Sequence, residues 1–321
     1  MNDHDPRKIV ARMKATELPD EFETVSAEDL LAKDFPEPRW IVAGLILEGF
    51  FLLAGRPKIG KSWLALLLAV CKAGGLEFLG RAPTPQGGVL YLALEDSPRR
   101  VKGRLLAIGL ARGAAPKGLH FRFKMPRISD GGLVVLERWL DRHPDVQLVI
   151  IDTYGKIRDP KPKNGDPYQH DVDQAGQLQE LATRRGVSLV VVHHDRKAGA
   201  DDWLETVSGT FGLTGTADAV ALLQRDRDSA NARLRIIGRD IEDCDLALLF
   251  ENCRWNVAGS GDQLTLSPQR QKILEFLREK GEQSPTVIHL ATQLKLDTVK
   301  HALHDMRDFV SQTQRGRWKA K

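Results

Sequence analysis

The chain has 321 residues, enough for about two folding units, with 42% hydrophobic and 28% charged residues. That balance excludes a wholly disordered chain, a collagen and a disulfide-held miniprotein. Net charge is +4, but the surplus is uneven: residues 264–321 carry 11 basic and 6 acidic side chains, and the rest of the chain is close to neutral, which points to a polyanionic partner for the C-terminal part. Cys71, Cys244 and Cys253 lack any CxxC pairing and fit a reducing compartment. The N-terminus lacks the apolar core of a secretory signal, and the uncharged run Ser62–Cys71 is too short to span a bilayer. The expected setting is the cytoplasm, away from membranes.

In chain order, residues 1–38 read as a polar, flexible arm with one short helix at Ala27–Lys33, closed by Pro36 and Pro38. Residues 39–258 alternate strands and helices. Strands are predicted at Phe50–Ala54, Gly88–Leu94, Leu119–Phe123, Leu148–Asp152, Ser188–His193, Ala219–Leu223, Arg233–Ile237 and Leu246–Phe250. Helices are predicted at Lys61–Ala73, Pro98–Leu110, Gly131–Arg142 and Tyr168–Arg185. Continuous apolar strands such as Leu148–Ile151 and Leu189–Val192 suit central parallel strands covered on both faces. The expected fold class is therefore α/β, a doubly wound, mostly parallel sheet whose last strands form an antiparallel edge. A linker over 259–263 leads to a unit over 264–321.

The most specific motif is Gly55-Arg56-Pro57-Lys58-Ile59-Gly60-Lys61-Ser62, which fits G-x-x-x-x-G-K-[ST] between a strand and a helix beginning Lys61-Ser62-Trp63. Its glycines let backbone N–H groups turn toward a phosphate, and the helix adds its positive end. Lys61 can reach β- and γ-phosphate oxygens and Ser62 can ligate Mg²⁺. Gly55, Pro57, Lys58, Gly60, Lys61, Ser62 and Trp63 form the candidate ATP-binding set. Asp152 ends an apolar strand where it can hold Mg²⁺ with Ser62. Glu95 ends another and is the candidate base for the attacking water, with Asp96 as N-cap of the next helix. His194, at the end of a third, is placed to sense the γ-phosphate.

This succession of phosphate loop, Glu95, Asp152 and His194 resembles the RecA-like hexameric ATPases, AAA-family enzymes in the broad sense. The similarity extends from Trp40 to Trp255 and is closest to plasmid and phage replicative helicases of the RepA type, with the DnaB type as wider relatives. Leu94-Glu95-Asp96 resembles their catalytic glutamate segment, His193-His194 their sensor segment, and Ser208–Asp218 the run after their second DNA-facing loop. The resemblance implies a P-loop NTPase fold, ATP and Mg²⁺ as cofactors, a homohexameric ring around single-stranded DNA, and a replication initiator or primase as partner. It also implies a cationic finger from the neighbouring subunit. Arg239 in Arg233–Asp240 is the candidate; the alternative is a surface pair with Asp240. Two loops are expected to face DNA, Tyr154–Gln169 with Lys156, Arg158, Lys161 and Lys163, and Asp195–Phe211 with Arg196 and Lys197.

The C-terminal unit reads as three helices and a ribbon, a winged helix-turn-helix. The expected inward residues are Ile273, Leu274 and Leu277, then Val287, Leu290, Ala291 and Leu294, then Val299, Leu303 and Met306, with Asp297 as the third helix's N-cap. Lys300 and His301 on the third helix, and Arg315 and Arg317 in the wing, are candidate duplex contacts; a protein-docking role is the alternative. The functional expectation is an ATP-driven ring helicase or translocase of a plasmid, phage or mobile element. An ATP-switched DNA-binding initiator is the alternative.

Overall fold

The computed structural model describes residues 24–82, 85–111, 113–161, 165–194, 212–225, 229–260, 268–306, 310–313 and 316–321. It divides into a unit over Met1–Pro38 and one over Arg39–Lys321. The described part of the first unit holds one short helix, α1 (Ala27–Leu31). Ser26 caps it by accepting a hydrogen bond from the Asp29 N–H.

The second unit begins with a small hairpin, β1 (Trp40–Val42) with β2 (Ile46–Leu47). Its main strands are β3 (Gly49–Gly55), β4 (Gly88–Ala93), β5 (Leu119–Arg122), β6 (Val146–Asp152), β7 (Ser188–His194), β8 (Ala219–Arg225), β9 (Asn231–Gly238), β10 (Cys244–Glu251) and β11 (Arg254–Ser260). Among the described residues these nine build one sheet in the order β11-β10-β9-β8-β3-β7-β6-β4-β5. Strands β3 to β8 run parallel, and β9, β10 and β11 each reverse on their neighbour. The expected parallel sheet with an antiparallel edge is thus what forms. Each predicted strand exists within a few residues. Strand β11 and the β1–β2 hairpin went unpredicted. Because β11 continues to Ser260, the first two residues of the expected linker are strand.

The helices follow their local signals. Helix α2 (Lys61–Gly74) stops where Gly75 turns left-handed at φ 62°. Helix α3 (Pro98–Ala107) is capped by Ser97, not by Asp96 as expected; the shorter serine side chain sits one residue nearer and bonds the Arg100 N–H. Helix α4 spans Gly132–Leu140, and a single turn, α5, spans Tyr154–Ile157. Helix α6 (Pro167–Arg185) begins with Pro167 in its first turn, is capped by Asp166 accepting from the Tyr168 N–H, and ends at left-handed Gly186. A short helix α7 (Gly212–Thr216) leads into β8. Both sheet faces are covered. Phe51, Leu53, Ile150 and Val190 pack on one side with α2, and Phe50, Leu52, Ile151 and Val191 on the other with α4 and α6. Fully burying each such side chain contributes about 1.5–3 kcal/mol, so the central strands are fixed in register and their C-terminal ends share one edge.

Helices α8 (Pro268–Lys280), α9 (Pro285–Thr292) and α10 (Leu296–Asp305) and the hairpin β12 (Val310–Gln312) with β13 (Trp318–Ala320) follow. Their core holds Ile273, Leu274, Leu277, Ile288, Val299, Leu303, Met306 and Trp318. Two expectations are corrected. On α9, Ile288 and Thr292 face inward, whereas Val287 and Leu290 are 42% and 71% exposed. Ser284 caps the helix, which sets its phase, and Thr292 is tolerated inside because its hydroxyl bonds the Ile288 carbonyl. On α10, Lys295 is the N-cap position and Asp297 lies in the first turn.

Candidate functional site

The C-terminal ends of β3, β4, β6 and β7 converge because parallel strands in register place their last residues side by side. Ala54 is level with His193, and Ala93 with Asp152. The loop after β3 needs unusual backbone at several points: Gly60 has φ 107° and Lys58 has φ 67°. A Cβ on Gly60 would lie 2.7 Å from the Trp255 ring. The Trp255 indole N–H donates to the Gly60 carbonyl at 3.1 Å. Strand β11 thus buttresses the loop through a residue 195 positions away.

Lys61 is 4% exposed. Its ammonium donates to the carbonyls of Gly55 and Arg56, the latter at 2.8 Å, and lies 3.1 Å from His194 Nδ1. An ammonium has no lone pair, so Nδ1 accepts and the ring proton sits on Nε2. That nitrogen lies 3.6 Å from Glu95 Oε2. The other Glu95 oxygen accepts from the Thr153 hydroxyl at 3.1 Å. Lys61, His194 and Glu95 are thereby brought together.

Asp152 is 4% exposed and accepts from the Tyr91 hydroxyl at 2.7 Å and from Ser62. Burial pushes its carboxyl pKa upward, against the lowering effect of those two hydrogen bonds. Burial also pushes the Tyr91 phenol well up, so it remains a donor. A buried carboxylate beside a serine hydroxyl is a donor set suited to a hard divalent cation, and the loop with Lys61 suits a polyphosphate. The residues therefore fit Mg²⁺ and ATP. Asp96 pairs with Arg100 and with Arg104. Arg104 lies 5.4 Å from the centre of the Trp63 ring, and so ties the Glu95 turn to α2.

The loop expected over Tyr154–Gln169 is shorter. Tyr154–Ile157 form the turn α5, and α6 starts at Pro167. Segment 157–161 is braced from two sides. Ile128 N–H donates to the Ile157 carbonyl and Arg127 to the Arg158 carbonyl. Ser129 and Gln174 donate to the Asp159 carboxylate. Burial alone would raise the Asp159 pKa, but the Ser129 and Gln174 hydrogen bonds outweigh it and hold it low. Lys156 is exposed, whereas Arg158 and Lys161 both point to Asp171 on α6. Lys163, Arg196, Lys197 and Arg315 lie outside the described residues, as do residues 208–211 of the Ser208–Asp218 run. Lys300, His301 and Arg317 are exposed on the C-terminal unit.

Arg239 sits at the opposite edge of the sheet. It follows Gly238, which pairs with Ala219 beside Phe51, so at ~3.3 Å per residue roughly 13 Å of strand separates that level from Gly55. Arg239 does not join the Lys61 cluster of its own chain. It lies 3.6 Å from Asp218 Oδ1 and donates to the Gly215 carbonyl, so its partner is Asp218 rather than the expected alternative, Asp240. Tyr91, Thr153, Asp171 and Trp255 had no local motif to mark them; each acts through a residue distant in sequence.

Comparison with known proteins follows the same outline. The fold is similar to a solved helicase-like ATPase domain, with TM-score 0.53, 16% identity, and coverage of 65% of this chain and 84% of that one. It is also similar to a DnaB-like replicative helicase solved with attention to its interactions with primase, with TM-score 0.51, 18% identity, and coverage of 65% and 57%. These likenesses show the RecA-like P-loop fold. In sequence, the DNA repair protein RadA of Synechocystis is 28% identical over 207 residues, 62% of this chain. The chain spans only 38% of that relative's length. Among the described residues no helix is long and apolar enough to cross a membrane. A family model described as an AAA domain matches residues 15–200, more than half of the chain, and the chain belongs to that family.

Proposed function

We propose that this protein is an ATP-hydrolysing ring motor acting on DNA, a replicative helicase or translocase of a plasmid, phage or mobile element. The observation that carries this reading is the convergence of Lys61, His194 and Glu95 at one sheet edge, with Ser62 and Asp152 alongside. Lys61 withdraws charge from the phosphates, and Ser62 and Asp152 hold Mg²⁺, which when bound neutralises the β- and γ-oxygens. Glu95 takes the proton of the attacking water. His194 sits between Lys61 and Glu95, and a change at the phosphate reaches β7 through it.

Arg239 serves the neighbouring subunit's phosphate in this reading, since its own is out of reach. Lys156, Arg158, Lys161 and Lys163, with Arg196 and Lys197, hold single-stranded backbone phosphates inside a homohexamer. The names of the DnaB-like and RadA relatives support a DNA substrate, and a primase or initiator is the matching partner class. The test is DNA-stimulated phosphate release together with strand displacement, with electron microscopy of the protein in ATP. A ring and displaced strand are expected. A monomer whose ATPase ignores DNA would overturn the reading.

One observation favours a second reading. The three helices and hairpin of residues 268–321, with their positive surplus, support a winged-helix unit that grips duplex through Lys300, His301, Arg315 and Arg317. Site-specific duplex binding without displacement would make the protein an ATP-switched initiator.

A further inference from the structure

Two cations that the DNA reading assigns to a single strand are already engaged within the chain. Arg158 Nη2 lies 3.6 Å from Asp171 Oδ1, and Lys161 Nζ lies 3.3 Å from Asp171 Oδ2. The Asp171 side chain is 9% exposed, Arg158 20% and Lys161 37%, so the carboxylate is shielded from solvent while the cations still reach the surface. His170 Nδ1 lies 3.7 Å from the same Oδ1, and the Arg158 guanidinium lies 5.8 Å from the Tyr154 ring centre. The backbone of segment 157–161 is meanwhile clamped by Arg127, Ile128, Ser129 and Gln174. The segment therefore does not depend on Asp171 alone for its course, and the side chains can change partner without the backbone moving.

A carboxylate and a phosphodiester offer the same pair of anionic oxygens to a guanidinium or an ammonium. We propose that Asp171 is an internal counter-ion that takes the place of a nucleic-acid phosphate on Arg158 and Lys161, and thereby sets how tightly segment 156–161 holds a single strand. This rests on the reading of that segment as DNA-facing. Binding exchanges one anion for another, so these two cations add less to affinity than exposed ones. Lys156, exposed on α5, is the internal standard.

The experiment measures binding of the full chain to fluorescein-labelled oligothymidylate by anisotropy across a salt series. Each cation released to a single strand steepens the log K against log salt slope by about 0.7. Asp171→Asn is expected to tighten binding several-fold and steepen the slope by about 0.7–1.4, and Asp171→Glu to keep the native slope. Unchanged or weaker binding by folded Asp171→Asn protein overturns the proposal. If that variant does not fold, Lys161→Gln in the native chain decides. Shielded by Asp171, it should flatten the slope by clearly less than Lys156→Ala does; equal losses overturn the counter-ion. A flat response to Lys156→Ala instead removes the DNA reading of the segment, which keeps the two failures apart.

Discussion

The phosphate loop and segment 154–161 follow parallel strands at the same sheet edge, and both present cations. They differ in what faces those cations. Lys61 is held by two carbonyls and an imidazole, partners that carry no charge, whereas Arg158 and Lys161 face a buried carboxylate. A polyphosphate meets no competing anion in those Lys61 partners, while one approaching segment 158–161 must displace Asp171. Two sites a few residues from the same edge can therefore differ in how readily they exchange an anion, without any difference in the number of cations.

The largest expected effect breaks the phosphate side. Lys61→Ala should abolish phosphate release at saturating Mg-ATP, a fall of roughly a thousandfold or more if the lysine supplies about 4 kcal/mol of transition-state charge stabilisation. Arg158→Ala should leave nucleotide binding intact and reduce only the DNA-stimulated part. Equal losses in both variants would erase the distinction. Next, Glu95→Gln should retain ATP binding by calorimetry while turnover drops about 10²–10⁴-fold. Unchanged turnover would move the base elsewhere, with Asp96 a poor substitute because Arg100 and Arg104 hold it.

Gly60→Ala sharpens the comparison at the level of backbone. With φ 107° and the Trp255 ring 2.7 Å from the new Cβ, it should cost about 1–3 kcal/mol in thermal unfolding and weaken nucleotide binding. Oligothymidylate binding in the absence of nucleotide should change little.

How much of this was legible in the sequence depends on distance along the chain. The phosphate loop, its strand and its helix are contiguous, and the apolar strands announce themselves by composition, so both were readable. Tyr91 on Asp152, Asp171 on Arg158 and Trp255 on Gly60 are pairings that exist only once strand order is known. On α9 the apolar side chains Val287 and Leu290 pointed to the wrong face. Helix phase is set by the Ser284 cap, and a threonine whose hydroxyl is satisfied within the helix is cheap to bury.

The smallest expected effect concerns pH. Burial, with Arg158, His194 and Lys61 nearby, lowers the His193 pKa from 6.5 to about 4. A base with a depressed folded pKa binds fewer protons folded than unfolded, so its contribution is complete above pH 6.5 and is lost as pH falls toward 4. Asp152, whose pKa is raised, works in the opposite direction on acidification. Thermal melts of the native protein should decline across pH 6.5–4, and His193→Gln should flatten that decline. An identical profile would place the acid sensitivity elsewhere.

The bond from the Trp255 indole to the Gly60 carbonyl spans 195 residues, and it bears on biosynthesis. A nascent chain exposes its phosphate loop long before the strand that props it has left the ribosome. The nucleotide cradle should therefore mature late, after nearly the entire ATPase unit is synthesised. A polypeptide ended ahead of Trp255 would keep its whole G-x-x-x-x-G-K-S motif yet lack the brace that shapes it.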